Sequence, residues 1–255
     1  MPGFAELEFD LPGALLEAIL ERFKDIDAAD LTVANLIDVP EEQGVYALYL
    51  KKPQRLVYIG KTDSEAGLKH RLTRHARKLI GRKSITSADV QFKAIRLYVF
   101  TAMDLEYALI QHHGGVSQVA WNNSGFGSND PGKERDTTNY KADHWDTQYP
   151  IDLDHVFVQF DPGNYTVAQV MGRLKAELPF LLRYQRPHQS RKSFHVDYEQ
   201  TKITVTHRGT TTREMLQLCM DALPQGWHVT ALPSHIISYK DDHRRFPSGK
   251  EIARS

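Results

Sequence analysis

The sequence predicts an α+β fold built from two units, and three observations support this. Two short runs rich in β-branched and aromatic residues, 44–50 and 55–60, flank a short turn and predict a β-hairpin. The run 67–83 carries apolar residues at helical spacing, and a third strand pattern follows at 92–100. Strand and helix patterns resume after residue 150, so we expect a second α+β unit there.

The first unit is expected to be a small core with a three-stranded antiparallel sheet and flanking helices. Tyr46 and Tyr58 fall at comparable places on the two hairpin strands. After the third strand, Thr101 and Asp104 form a capping pattern for a helix that carries Glu106 near its start. The predicted order is therefore strand, strand, helix, strand, helix.

The run 67–83 predicts a basic amphipathic helix. Its apolar residues are Leu68, Leu72, Ala76 and Leu79, and it contains no acid. Arg71, His75, Lys78 and Arg82 align along one stripe beside the apolar face. A solvated helix face is the simpler interpretation of a charge run, but these like charges repel one another without compensating acids. The pattern therefore favours an anionic partner, and phosphate is the obvious candidate.

The remaining elements belong to the second unit, for which the sequence indicates no function. The predicted strands are 156–160, 202–207, 227–232 and 236–239. One predicted helix runs from 165 to about 183 and is kinked or broken near Pro179. The other begins at a Thr211 cap and ends at 222. The basic segment 243–254 is expected to be mobile. We predict four regions: an N-terminal extension (1–40), the first core (41–128), a polar loop or linker (129–150) and a C-terminal α+β domain (151–255).

The composition excludes several classes of protein. The 32 basic and 32 acidic residues balance, which argues against a purely electrostatic nucleic-acid binder. The single cysteine excludes an internal disulfide framework, and no apolar run is long enough for a membrane span. The acids near the N-terminus, Glu6, Glu8 and Asp10, do not fit a signal peptide. We therefore expect a cytoplasmic protein with no membrane partner.

Five motifs in order resemble a GIY-YIG nuclease domain over roughly residues 40 to 127. They are Gly44-Val45-Tyr46, Tyr58-Ile59-Gly60-Lys61, Leu68-x-x-Arg71-Leu72-x-x-His75, Glu106, and Trp121-Asn122. Val45 replaces the isoleucine of the signature. The longer interval after Glu106 leaves open whether Asn122 or Asn123 fills the asparagine position of the family.

The stretch 121–136 carries a second resemblance. Its GFG-x-x-DPG-x-x-RD pattern is similar to type II restriction endonucleases of the GIY-YIG group. This resemblance implies site-specific cleavage of double-stranded DNA and functional pairing with a cognate DNA methyltransferase. A DNA-repair or mobile-element nuclease, or an inactive DNA-binding module, remain the alternatives.

The resemblance implies a role for each motif residue. Tyr46 would be the general base, and Tyr58 would hydrogen-bond the water or the phosphate. Arg71 would bind the non-bridging oxygens, and His75 would orient Tyr46 or the phosphate. Glu106 would be the only protein ligand of one Mg²⁺ or Mn²⁺ ion. Because the pKa of a free phenol is about 10, the base role requires surroundings that lower the pKa of Tyr46.

Further polar residues are expected to bind DNA, although each also has a structural interpretation. Lys61 would add positive charge beside the strand end, and the remaining candidates are Arg74, Lys78, Asn129, Lys133 and Arg135. Of these, Asn129, Lys133 and Arg135 are expected to reach base edges. The chain contains one set of these motifs, and one active site cuts one DNA strand. A double-strand break therefore needs two sites, so we expect a homodimer, at least on DNA, with sequential nicking by a monomer as the alternative.

Overall fold

The computed structural model describes residues 2–62, 66–98, 104–128, 130–187, 193–241 and 243–255. The chain divides into two units, Met1–Arg77 with Ser87–Gly127, and Lys78–Thr86 with Ser128–Ser255. Both combine helices with sheets, so the predicted α+β class is confirmed. The division differs from the four predicted regions, because residues 1–40 belong to the first unit and all of 129–150 to the second.

The first unit contains a four-stranded antiparallel sheet. Its elements are α1 (Leu11–Asp25), β1 (Ala29–Asp30), β2 (Gly44–Lys51), β3 (Gln54–Thr62), α2 (Leu68–Leu79), β4 (Val90–Arg96) and α3 (Leu105–His112). The strand order is β1-β4-β2-β3, so the three predicted strands are present and β1 adds a short edge strand. Pro53 lies in the turn of the predicted hairpin, between β2 and β3.

The two faces of this sheet have different roles because successive side chains alternate between them. Val45, Ala47 and Ile59 pack with apolar residues of α1 and α3. Tyr46 and Tyr58 belong to the opposite alternation. Helix α2 supplies the buried residues Leu68, Leu72, Ala76 and Leu79 at the predicted spacing. The segment predicted as an extension is therefore partly core, since Ile19 and Phe23 of α1 are buried.

The second unit is built on a mixed sheet. Its helices are α4 (Trp145–Gln148), α5 (Val167–Glu177), α6 (Val196–Gln200) and α7 (Thr212–Ala222). Its strands are β5 (Gly163–Thr166), β6 (Leu181–Tyr184), β7 (Lys202–Val205), β8 (Trp227–Ala231), β9 (His235–Lys240) and β10 (Lys250–Arg254). The order β10-β8-β9-β6 makes one sheet, in which β6 and β9 are parallel, and β5 pairs with β7.

Three predictions for the second unit are wrong. Residues 156–160 form no strand, although their alternation buries Val158 and Phe160. The predicted break near Pro179 is confirmed, because α5 ends at Glu177 and Pro179 disfavours helical backbone at Leu178, but the predicted continuation to about 183 is wrong, since β6 follows. The segment predicted to be mobile contains β10, which pairs with β8.

Candidate active site

The centre of the candidate site is a buried hydrogen bond between Tyr46 of β2 and His75 of α2. The Tyr46 Oη and His75 Nε2 atoms are 2.7 Å apart. Both residues are almost completely inaccessible to solvent. Gly60 lies opposite Tyr46 on β3, and a Cβ atom there would come within 2.4 Å of the Tyr46 hydroxyl oxygen. The glycine of the strand motif therefore makes room for the phenol.

Tyr58 and Phe126 complete an aromatic cluster around His75. Phe126 stacks on His75 with ring centroids 4.7 Å apart, and Tyr58 meets His75 edge-on at 5.2 Å. A Cβ atom at Gly127 would lie 2.6 Å from the Tyr58 hydroxyl oxygen. We call Tyr46, Tyr58, His75 and Phe126 the tyrosine–histidine cluster. The GFG segment, which belongs to the pattern that resembles restriction endonucleases, thus contributes directly to this cluster.

Arg71 lies one helical turn before His75 on α2 and has unused hydrogen-bonding capacity. Its Nε atom is buried and has no hydrogen-bond partner among the described residues. A buried donor without a partner is costly and needs an explanation. The positive charge of Arg71 lies close enough to act on both Tyr46 and Tyr58. Arg71 is thus suited to an anion that approaches the tyrosines.

Glu106 brings a carboxylate to the same group of residues. It lies in the first turn of α3, which Asp104 caps. The Glu106 Oε2 atom accepts a hydrogen bond from the Lys61 backbone N–H at 3.3 Å, whereas the Lys61 Nζ atom contacts Asp104 at 2.9 Å. Burial raises the pKa of Glu106, and the charge of Asp104 adds to the effect. A cation would therefore stabilise the ionised form of Glu106.

The electrostatics of the two tyrosines differ from the expectation. Burial raises the pKa of Tyr46 well above its ordinary value, and the charge of Glu106 acts in the same direction. Burial also raises the pKa of Tyr58. Arg71 opposes both shifts without overcoming them. Deprotonation of Tyr46 therefore needs a proton acceptor in contact with it, and His75 Nε2 has the required position.

Asn122 is buried and fully engaged with the backbone of β3. Its Oδ1 atom accepts from the Ile59 N–H at 2.9 Å, and its Nδ2 atom donates to the Ile59 carbonyl at 2.8 Å. Asn123 is exposed and has a φ of 62°. Asn122 therefore holds the segment before Phe126 against the edge of β3, which is a positioning role.

The residues predicted to bind DNA have different surroundings. Arg74 donates to the Gly127 carbonyl, and Lys61 is exposed. In the second unit, the Lys78 Nζ atom lies 4.9 Å from the centroid of a Trp145 ring, and exposed Lys133 lies 5.8 Å from that of Tyr239. Asn129 lies outside the described residues.

Arg135 was predicted to reach DNA, but its side chain is largely buried. Its side chain is 13% exposed, and its guanidinium contacts Asp146 at 2.6 Å and the Tyr140 hydroxyl at 2.8 Å. The completely buried Asp146 also contacts Arg82 at 2.9 Å. Arg135 therefore compensates a buried carboxylate, which explains why it is directed inward.

A second buried carboxylate, Asp136, belongs to the same unit. It accepts hydrogen bonds from Arg183, Tyr239 and His235, the last at 2.8 Å. We call Asp136 and Asp146, with the partners Arg82, Arg135, Arg183, His235 and Tyr239, the aspartate network. Burial opposes ionisation, yet these partners, together with the charge of Lys78 near Asp146, hold the pKa of both aspartates below its usual range. Asp136 is the aspartate of the RD pattern, to which the resemblance gave no role, and no sequence pattern pointed to His235.

Within the described residues, no group of three or more His, Cys, Asp or Glu side chains could hold a metal ion. A site with Glu106 as its only protein ligand is compatible with this finding, because Mg²⁺ commonly keeps several waters and takes one or two carboxylates. Nor does the described part of the chain contain a helix that is long and apolar enough to cross a membrane. No protein-family model matches the chain, and no curated protein matches it.

Proposed function

We propose that this protein is a metal-dependent DNA endonuclease of the GIY-YIG type, which hydrolyses phosphodiester bonds. The observation that carries the proposal is the buried Tyr46–His75 hydrogen bond with the charges of Arg71 and Glu106 close by. The sequence resemblance named these residues from separate motifs. Their grouping within one unit supports that assignment, because phosphodiester hydrolysis needs a base, a cation for the phosphate and a metal ligand.

In the proposed mechanism, two protons move together. The attacking water gives one proton to the Tyr46 hydroxyl oxygen, and the Tyr46 hydroxyl gives its own proton to His75 Nε2. The water oxygen forms a bond to phosphorus, the bond to the 3′-oxygen breaks, and the leaving oxygen takes a proton from solvent. Because burial raises the pKa of Tyr46, a stable phenolate is avoided and the proton moves only during attack.

Arg71 and Tyr58 bind the phosphate in this proposal. The Arg71 Nε atom is a buried donor with no hydrogen-bond partner among the described residues, so it is available to hydrogen-bond a non-bridging oxygen. Tyr58 orients the water or the phosphate through its hydroxyl. The cations Lys61, Arg74 and Lys78 attract the DNA backbone without reading its sequence.

Glu106 would hold one Mg²⁺ or Mn²⁺ ion. Such an ion supplies positive charge that stabilises the pentacovalent phosphorus and the leaving oxygen. The raised pKa of Glu106 fits this role, since a bound cation restores the ionised carboxylate.

Within this class we propose a site-specific enzyme of the restriction type. Its partners would be double-stranded DNA, a second copy of the chain and, in the same cytoplasm, a cognate methyltransferase. The position of Phe126 and Gly127 beside Tyr58 and His75 supports this assignment, because the GFG pattern distinguished the restriction branch. A repair or mobile-element nuclease on the same domain is the second candidate.

Incubation of the protein with phage-sized DNA and Mg²⁺ tests this function. Discrete fragments are the expected result. Nicks or a smear would assign the protein to the repair or mobile-element class. Absence of cleavage by a folded, DNA-bound protein would leave only a binding module and contradict the proposal.

A further inference from the structure

The first nine described residues form an exposed arm with an unusual pattern. From Ala5 to Leu11, apolar residues alternate strictly with the acids Glu6, Glu8 and Asp10. Such alternation is typical of a half-buried strand, yet the arm belongs to no strand and residues 2–10 are all exposed. Leu7 is 88% exposed and Phe9 is 65% exposed. Several large apolar residues exposed in one short segment indicate a candidate binding surface.

A cavity in the same unit complements this pattern. It has a volume of about 260 Å³ and lies among α1, α3 and the sheet. Its apolar lining includes the buried residues Ala47 and Ile59, while the exposed residues Lys24, His112 and His113 also line it. An apolar cavity of about 150 Å³ holds a benzene ring, so this one has room for a phenylalanine side chain. Lys24 forms no hydrogen bond or ion pair with any described residue, so its charge is available to an acid.

Chain length disfavours insertion of Leu7 and Phe9 into the cavity of their own chain. Asp10 is fixed as the N-cap of α1, because its side chain accepts from the Gly13 N–H. Leu20, which lines the cavity, lies ten residues further along α1, so its Cα atom is about 15 Å away. The Cα atom of Leu7, three residues from Asp10, reaches at most about 11 Å. The Cα atom of Phe9, which directly precedes Asp10, reaches less, so a second copy supplies these two residues more readily.

We propose that the arm of a second copy occupies this cavity, with its apolar residues inside and Glu8 close to Lys24. Reciprocal exchange of two arms gives a closed two-fold dimer. Pairing of one arm with another is disfavoured, since it would bring the two acidic stripes together. The inference rests on the homodimer included in the proposed function, but its test measures mass and not cleavage, so the two proposals fail separately.

Sedimentation equilibrium of the full chain without DNA tests the exchange. Wild type is expected to dimerise, and Leu7→Asp combined with Phe9→Asp should raise the dimer dissociation constant about tenfold or more. Both residues are exposed, so the fold should persist, as circular dichroism will verify. A monomeric wild type, or a dimer unaffected by this double substitution, would overturn the proposal.

Charge reversal then identifies the copy that donates the arm. Glu8→Lys and Lys24→Glu should each weaken the dimer about three- to tenfold, whereas Glu17→Lys and Lys52→Glu, at exposed positions elsewhere, should not. A mixture of the two weakened variants should dimerise like wild type, because each arm then meets an opposite charge on the other chain. Failure of the mixture to recover would exclude exchange between copies.

Discussion

The tyrosine–histidine cluster and the aspartate network are both buried and polar, but they differ in how charge is compensated. In the aspartate network, each carboxylate is paired with cations and its pKa is lowered, although the Asp146 Oδ1 atom has an ion pair with Arg82 and no hydrogen bond within the described residues. In the tyrosine–histidine cluster, burial raises the pKa of both tyrosines, and the neighbouring Arg71 retains a buried donor without a described partner. Buried carboxylates whose charge is compensated and whose pKa is lowered indicate a structural role, whereas tyrosines of raised pKa beside a buried cationic donor without a described partner indicate a site prepared for a ligand.

The largest expected effect is on the cleavage rate of variants of Arg71 and Glu106. Arg71→Ala and Glu106→Gln should each reduce the cleavage rate about a thousandfold, because the first removes the donor to the phosphate and the second the metal's protein charge. Single-turnover cleavage measures the loss, with Lys52→Ala and Glu21→Gln as exposed controls. DNA binding by Glu106→Gln should persist. A variant of either residue that cuts at the wild-type rate would contradict the assignment.

Substitutions in the aspartate network should lower the stability of the protein. Asp146→Ala leaves Arg82 and Arg135 buried without their carboxylate, so the free energy of unfolding should fall by about 3–5 kcal/mol. Urea denaturation measures this fall, and Asp143→Ala, at an exposed position, is the control. A loss of cleavage with unchanged stability would show that the network has a functional role, and the contrast between the two clusters would no longer hold.

The elements that local patterns specify were predictable, and the network was not. Helical spacing located α2, and β-branched residues located β2 and β3, because these signals lie within a few neighbouring residues. The burial of Arg135 depends on Asp146 and Arg82, which are distant in the sequence, and a charged loop has the same composition whether it is solvated or paired. Strand β10 likewise requires β8 as a partner.

At the candidate site, the sequence pointed to the motif residues but not to their surroundings. Motif spacing identified Tyr46, Arg71, His75 and Glu106, but it could not show that Phe126 stacks on His75, since aromatic residues in loops are usually read as packing. Nor could it show the direction of the Tyr46 pKa shift, which depends on the surrounding burial. The bidentate bond of Asn122 to Ile59 also required the assembled sheet edge.

The pH dependence of cleavage tests how the Tyr46–His75 pair moves the proton. Because burial raises the pKa of Tyr46, and because Tyr46 passes its proton to His75 only during attack, phenolate does not accumulate below the ordinary phenol pKa of about 10. The cleavage rate should therefore not rise tenfold per pH unit between about pH 8 and pH 10. Measurement of the pH–rate profile checks this, and a tenfold rise per unit over that range would show that free phenolate is the base and contradict the transfer to His75.

The smallest expected effect separates Lys133 from Arg135. Lys133 is exposed, so Lys133→Ala should weaken DNA binding and reduce the slope of log affinity against log salt by about one. Arg135→Ala should instead lower the unfolding free energy, because it removes a partner of Asp146. Titrations at several salt concentrations, with parallel unfolding curves, test both. Loss of discrimination at a single base pair in a stable Arg135→Ala protein would restore its base-reading role.

Single-turnover cleavage of DNA by Tyr46→Phe with Mg²⁺ tests the central claim most directly. The substitution removes only the hydroxyl that contacts His75 and keeps the ring that packs in the cluster. We predict a loss of cleavage of about a thousandfold, with DNA affinity and melting temperature close to those of wild type. Cleavage within about threefold of wild type would contradict the claim that the Tyr46–His75 pair carries the proton transfer.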